Sequence, residues 1–144
     1  MKYATFKMDR GDIKFRLYEE TPIQVGRFIG NANEGLFKGI TFYRVIKNWI
    51  IQAGPKKPGR YMYDEIKPPR RGRDNNFHAY GVLSAANAGS EHTSMGVFFI
   101  CLGRWYGKDM DSSYTTFGHV IDGIELIEQI KKDEVINDII ITDS

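Results

Sequence analysis

Apolar and polar residues alternate one by one over two short stretches near the N-terminus: Ala4, Phe6 and Met8, then Ile13, Phe15 and Leu17. A period of two suits a half-buried strand and cannot make the stripe of a helix, which recurs every three or four residues. Asp9-Arg10-Gly11-Asp12 lies between the stretches and carries turn chemistry, so the spacing predicts a hairpin. Short runs of the same kind continue to the C-terminus. Two strands are expected between Ile40 and Gly54, turning near Lys47-Asn48. Others follow at Gly81 to Ala86, Val97 to Leu102, Thr115 to Ile121 and Val135 to Thr142. Only two segments read as helices. Thr21-Pro22 offers an N-cap with proline at the first helical position. Val25, Phe28, Ile29 and Ala32 then form one apolar stripe, and Asn33 and Gly35 end it. The second helix is expected to start at a capping Asp122 with Glu125 as its reciprocal partner, and to turn Ile124, Ile127 and Ile130 inward. Many short strands and two helices predict a mainly β chain, a closed or nearly closed antiparallel barrel with helices over its open ends.

A length of 144 residues suits one domain, residues 1–144, and is enough to bury a core without staples. The net charge of +2 is too small to argue for nucleic acid or an anionic membrane as partner. The Arg70-Arg71-Gly72-Arg73 cluster therefore reads as a solvated loop within a long connection, residues 55–76. A single cysteine, Cys101, excludes an internal disulfide and fits a reducing compartment. The N-terminus lacks the apolar segment of a signal peptide, and no run approaches a membrane span. A cytoplasmic monomer is the expectation. His78, His92 and His119 share no metal-ligand spacing, and Ser84 and Ser94 lack the setting of a nucleophile elbow.

Chemistry concentrates elsewhere. Phe42-Tyr43-Arg44-Val45-Ile46 sets an arginine inside an apolar, β-branched run, and Gln52-Ala53-Gly54 follows on an adjoining strand. An unpaired buried charge is costly, so that arginine must end in a cleft with a partner or an exit to water. A guanidinium, amide side chains and an apolar wall can act on a ligand without a nucleophile or a metal.

These residues carry a resemblance to the cyclophilin family. Phe42-Tyr43-Arg44-Val45-Ile46 with Gln52-Ala53-Gly54 is similar to its aromatic-aromatic-Arg-Val-Ile strand and following turn. Gly81-Val82-Leu83-Ser84-Ala85-Ala86-Asn87-Ala88-Gly89, Phe98-Phe99-Ile100 and Thr116-Phe117-Gly118-His119-Val120 match its later blocks in order. The resemblance implies an eight-stranded closed antiparallel barrel capped by two α-helices. It also implies peptidyl-prolyl cis-trans isomerase activity with no cofactor, assisting protein folding. Arg44 carries over as the catalytic residue, and Gln52 and Asn87 as polar contacts to the substrate backbone. Trp49, Ile50, Phe99, Met110 and Tyr114 carry over to the proline pocket, with Ala86 and Ala88 beside it. Implied partners are proline-containing peptides and unfolded or partly folded proteins. Val97 stands where the family usually has a second substrate-binding glutamine, residues 54–61 are shorter than its Gly-rich loop, and its rim tryptophan has no clean counterpart, since Trp105 is offset and Asp109 falls on that position. Cyclosporin-type cyclic peptides are accordingly expected to bind with reduced affinity.

Two other readings follow from the residues. A proline-peptide-binding module could use the same groove with little turnover. A barrel could instead hold one small molecule in its lumen, although the large apolar strand residues argue for a filled interior.

Overall fold

The computed structural model describes residues 1–55, 62–63, 78–87, 92–103 and 114–144, with the side chains of 62, 63, 87 and 92–95 left aside. Most of the long connection, the basic cluster, Trp105, Asp109 and most of the irregular stretch before Tyr114 lie outside that description.

The predicted hairpin is β1 (Tyr3–Met8) and β2 (Gly11–Leu17), paired from Tyr3 with Arg16 to Met8 with Gly11. Eight strands form one antiparallel path. Beyond β2 it runs through β9 (Thr115–Asp122), β7 (Val82–Asn87), β8 (His92–Cys101), β5 (Ile50–Ala53) and β4 (Arg44–Ile46), and on the other side of β1 lies β11 (Asp138–Thr142). A short β6 (Met62–Tyr63) adds to β8. The mainly β antiparallel expectation holds; "closed" does not, because the ladder is curled but open between β4 and β11. A separate two-stranded ladder spans that seam, β3 (Ile40–Thr41) with β10 (Val135–Ile136). Each immediately precedes an edge strand in the chain, so the edges are tethered without pairing directly. The backbone amide of Phe42 donates to Glu134 and that of Asp133 to Phe42, which extends the tether. The expected pair of strands between Ile40 and Gly54 is therefore three, since β3 leaves the main sheet to make this bridge.

Helix α1 (Pro22–Asn33) begins as predicted, with Thr21 at the N-cap position and Pro22 following, although the Thr21 side chain makes no capping bond. It ends in a Schellman turn. Gly35 has φ +77°, its amide donates to Ala32, and the amide of Leu36 donates to Asn31. The buried stripe of Val25, Phe28 and Ala32 covers the sheet interior. Seven phenylalanines, Phe6, Phe15, Phe28, Phe37, Phe42, Phe98 and Phe117, are essentially inaccessible there. Phe98 meets Phe6, Phe28 and Phe37 edge-on with ring centres 5.5–5.7 Å apart. Aromatic side chains thus occupy the space that a ligand-holding lumen would need.

The second helix differs from expectation. Asp122 is the last residue of β9 and pairs with Lys14, so its backbone is extended and it cannot cap. Gly123 makes the reversal, with φ +83° and no room for a Cβ, which would sit 2.5 Å from the Asp12 carbonyl oxygen. Helix α2 (Ile124–Ile127) is a single turn. Ile127 and Ile130 are buried as predicted, whereas Ile124 is exposed.

One charged clamp braces the seam. The Arg10 guanidinium donates from Nε and Nη2 to the two Glu134 carboxylate oxygens at 2.9 and 2.7 Å. That bond, helped by the Lys131 amide and opposed by partial burial, holds the Glu134 carboxyl below its ordinary value. A depressed carboxylate stabilises the fold above its unfolded value, and the contribution fades as pH falls through the lower folded value. Glu134→Gln is therefore expected to lower the melting temperature at pH 7. The gap to wild type should shrink from about pH 4.5 downward, as scanning calorimetry between pH 7 and 3 would show.

Candidate active site

Strand register builds the site from single residues. Arg44 lies opposite Gln52, Gln52 opposite Phe99, and Phe99 opposite Ser84. Side chains alternate across a sheet, so residues at paired positions share a face. This row across β4, β5, β8 and β7 faces away from the phenylalanine core. Their neighbours Ile51, Ala53, Phe98, Ile100, Leu83 and Ala85 face inward and are buried in it. The outward face carries a second apolar cluster, Ile50, Val82, Ala86, Phe99 and Cys101, with Trp49, Ala79, Val97 and Tyr114 against it. Cys101 is buried in that cluster, as expected of a small hydrophobe.

A hollow of about 110 Å³ opens on this face, lined by Arg44, Trp49, Ile50, Gln52, Ala86, Phe99 and Tyr114. Phe99 is buried, and the Tyr114 ring meets it edge-on at 5.5 Å. Ile50 and Ala86 complete the apolar wall. Arg44 is exposed at the mouth; its Nη1 donates to Gln52 Oε1 at 3.3 Å, and its guanidinium carbon lies 5.2 Å from the centre of the Trp49 ring. Among the described residues no carboxylate pairs with Arg44, so most of its donors face the hollow and solvent. The Gln52 amide donates to Tyr43 Oη at 2.9 Å. Burial raises the Tyr43 phenol above its ordinary value, partly offset by the Gln52 hydrogen bond and the Arg44 charge.

All seven lining residues were singled out from sequence. Asn87 ends β7 opposite Thr93, and its side chain lies outside the described residues, as do Ala88 and Met110. Two residues near the site were not singled out. Tyr43 is one; strand alternation gave no reason to place its hydroxyl beside Gln52. The other is His78, which is buried and stacked on Phe99 at 6.0 Å. Ser84 Oγ donates to the Thr115 carbonyl at 3.2 Å, so its one proton is committed, and the 2.8 Å contact with His78 Nε2 must have the imidazole as donor. His78 thus serves as a structural group under the hollow. His119 is also engaged, with Nδ1 3.1 Å from the Tyr18 hydroxyl. No group of three or more His, Cys, Asp or Glu among the described residues could hold a metal ion. No helix among them is long and apolar enough to cross a membrane.

Ser84→Ala would leave the His78 N–H and the Thr115 carbonyl without their hydroxyl partner in a dry site. A loss of about 1–3 kcal/mol is expected in urea unfolding, with the m-value unchanged.

Comparison with known proteins gives the same picture along the whole chain. The family model for cyclophilin type peptidyl-prolyl cis-trans isomerase/CLD matches residues 3–143. A peptidyl-prolyl cis-trans isomerase of Helicobacter pylori is 29% identical over 151 residues, covering 99% of this chain and 88% of the relative. Peptidyl-prolyl cis-trans isomerase-like 3 of Gallus gallus is 32% identical over 136 residues, covering 90% and 81%. The crystal structure of a Cryptosporidium parvum cyclophilin type isomerase, determined in the presence of the dipeptide Ala-Pro, superposes with a TM-score of 0.81 at 27% identity over 99% of both chains. With one family model spanning the barrel and the Arg44 row alike, the chain belongs to the cyclophilin-type peptidyl-prolyl cis-trans isomerase family.

Proposed function

We propose that the hollow over Phe99 binds the ring of a substrate proline and that Arg44 catalyses rotation of the bond preceding it. Rotation about an amide faces a barrier of about 18–20 kcal/mol because it breaks C–N resonance. For Xaa-Pro the two planar forms differ by only about 0.5–1 kcal/mol, so the task is to favour the twisted form over both. In that form the proline nitrogen regains a lone pair, and a guanidinium supplies rigid donors to it. The observation that carries this reading is the pairing of Arg44, with donors uncommitted among the described residues, and a small recess walled on one side by Ile50, Ala86, Phe99 and Tyr114. Gln52, and Asn87 by resemblance, would hold the flanking backbone while the far side rotates.

A charge-assisted hydrogen bond contributes about 1.5–3 kcal/mol. Arg44→Ala should therefore lower kcat/KM for a short Xaa-Pro peptide about 10- to 150-fold. Arg44→Lys should recover only part of the loss, since an ammonium does not keep the planar orientation. Exchange spectroscopy or a protease-coupled assay measures both. Full activity in Arg44→Ala, or no acceleration by wild type, overturns the assignment.

The substrates proposed are exposed Xaa-Pro bonds of peptides and partly folded proteins, in keeping with the Ala-Pro dipeptide present with the Cryptosporidium parvum relative. Action as a single-domain monomer that assists folding in the cytoplasm, without a cofactor and with weakened binding of cyclosporin-type peptides, completes the reading.

One observation favours a binding module with little turnover. Val97 presents an apolar, half-buried side chain to the cluster around Phe99 and packs closely on Gly54, so that position offers no hydrogen bond. If that limits the reaction, Val97→Gln should raise kcat/KM by several fold, about the worth of one neutral hydrogen bond. An unchanged rate in a folded variant removes Val97 as the cause.

A further inference from the structure

Arg44, Gln52 and Tyr43 form a chain of hydrogen bonds whose direction can be worked out atom by atom. A guanidinium has donors and no acceptor, so the Gln52 atom facing it must be the oxygen, 3.3 Å from Nη1. The amide nitrogen is then the atom facing Tyr43, 2.9 Å from Oη, and an amide nitrogen only donates. Tyr43 Oη accordingly accepts, and its own proton points away from Gln52. Among the described residues nothing accepts that proton, and Tyr43 is 42% exposed. The phenol is raised above its ordinary value, so the donor persists at neutral pH. Tyr43 does not line the hollow, but it stands one hydrogen bond from Gln52, which does. Arg44 beside it makes this rim electropositive, which favours an acceptor over a donor in whatever lies across it.

We propose that Tyr43 is a further substrate-contacting residue, its hydroxyl donating to a main-chain carbonyl of the bound peptide outside the proline ring. This rests on the reading of the hollow as a proline-peptide site. A peptide backbone offers carbonyls as its only strong neutral acceptors, and proline contributes no N–H that could compete for the same place. Tyr43 would thereby fix the direction in which the chain leaves the hollow, beside the second amide N–H of Gln52, which the bond to Tyr43 leaves uncommitted.

A double-mutant cycle separates this role from simple support of Gln52. Titration calorimetry with the tetrapeptide Ala-Ala-Pro-Ala would be run on wild type, Tyr43→Phe, Gln52→Ala and the double variant. Tyr43→Phe keeps the ring, and unchanged melting temperatures verify folding. Loss of one neutral hydrogen bond predicts about fivefold weaker binding in Tyr43→Phe. A similar factor should separate the double variant from Gln52→Ala alone. If the factor vanishes once Gln52 is gone, Tyr43 acts only through Gln52 and the proposal is overturned. Equal affinity of Tyr43→Phe and wild type overturns it as well. A wild-type protein that binds no proline peptide sinks the reading of the hollow itself, and this proposal with it.

Discussion

The antiparallel register of β5 between β4 and β8 is the constraint on which the site depends. It sets Arg44, Gln52 and Phe99 in one row. A slip of one residue would turn Gln52 into the phenylalanine core and bring Ile51 out. The penalty is a buried amide without its partners on one side and lost apolar burial on the other, so the slip is strongly disfavoured. The geometry of the candidate site is thus specified by the same burial that specifies the fold.

The strands that carry the site are packed on both faces. In β1 and β2 apolar and partly exposed residues alternate, as in any sheet with one wet face. In β5, β7 and β8 the outward residues are covered too, by Trp49, Tyr114 and one another. The recess is therefore a gap in a packed apolar layer, with Phe99 held from the side by Tyr114 and from beneath by His78. The His78–Ser84–Thr115 chain lets a polar ring occupy a dry position there without an unpaired N–H.

Features set by local chemistry were legible in the sequence. The β1–β2 hairpin follows from alternation, and the end of α1 from Gly35 past an apolar stripe. The lining residues were legible through the family blocks, and the strand register brings them together. Features set by long-range contact were not. Asp122 looks like a cap in sequence, but its pairing with Lys14 extends it and leaves the reversal to Gly123. Closure was overestimated because strand count says nothing of whether the edge strands meet. Here β3 and β10 are drawn together instead, and β4 and β11 stay apart. The positions of His78 and the Tyr43 hydroxyl depend on side-chain reach across strands, which periodicity does not encode.

The size of the recess divides the labour within the proposed reaction. At about 110 Å³ it is a small recess, bounded by seven residues. As proposed, it would hold one proline ring and little of the chain on either side. Discrimination among sequences, and resistance of the flanking chain to turning with the ring, must come from polar groups at the rim. A hydrogen-bond chain that begins at a pure donor is well suited to this. Arg44 fixes the Gln52 amide, and the amide fixes which partner Tyr43 can take. Because each bond leaves only one choice for the next, the rim presents a defined donor pattern before any peptide arrives. Less reorganisation is then needed when the amide twists, and preorganisation of this kind can supply part of the barrier reduction that one guanidinium cannot.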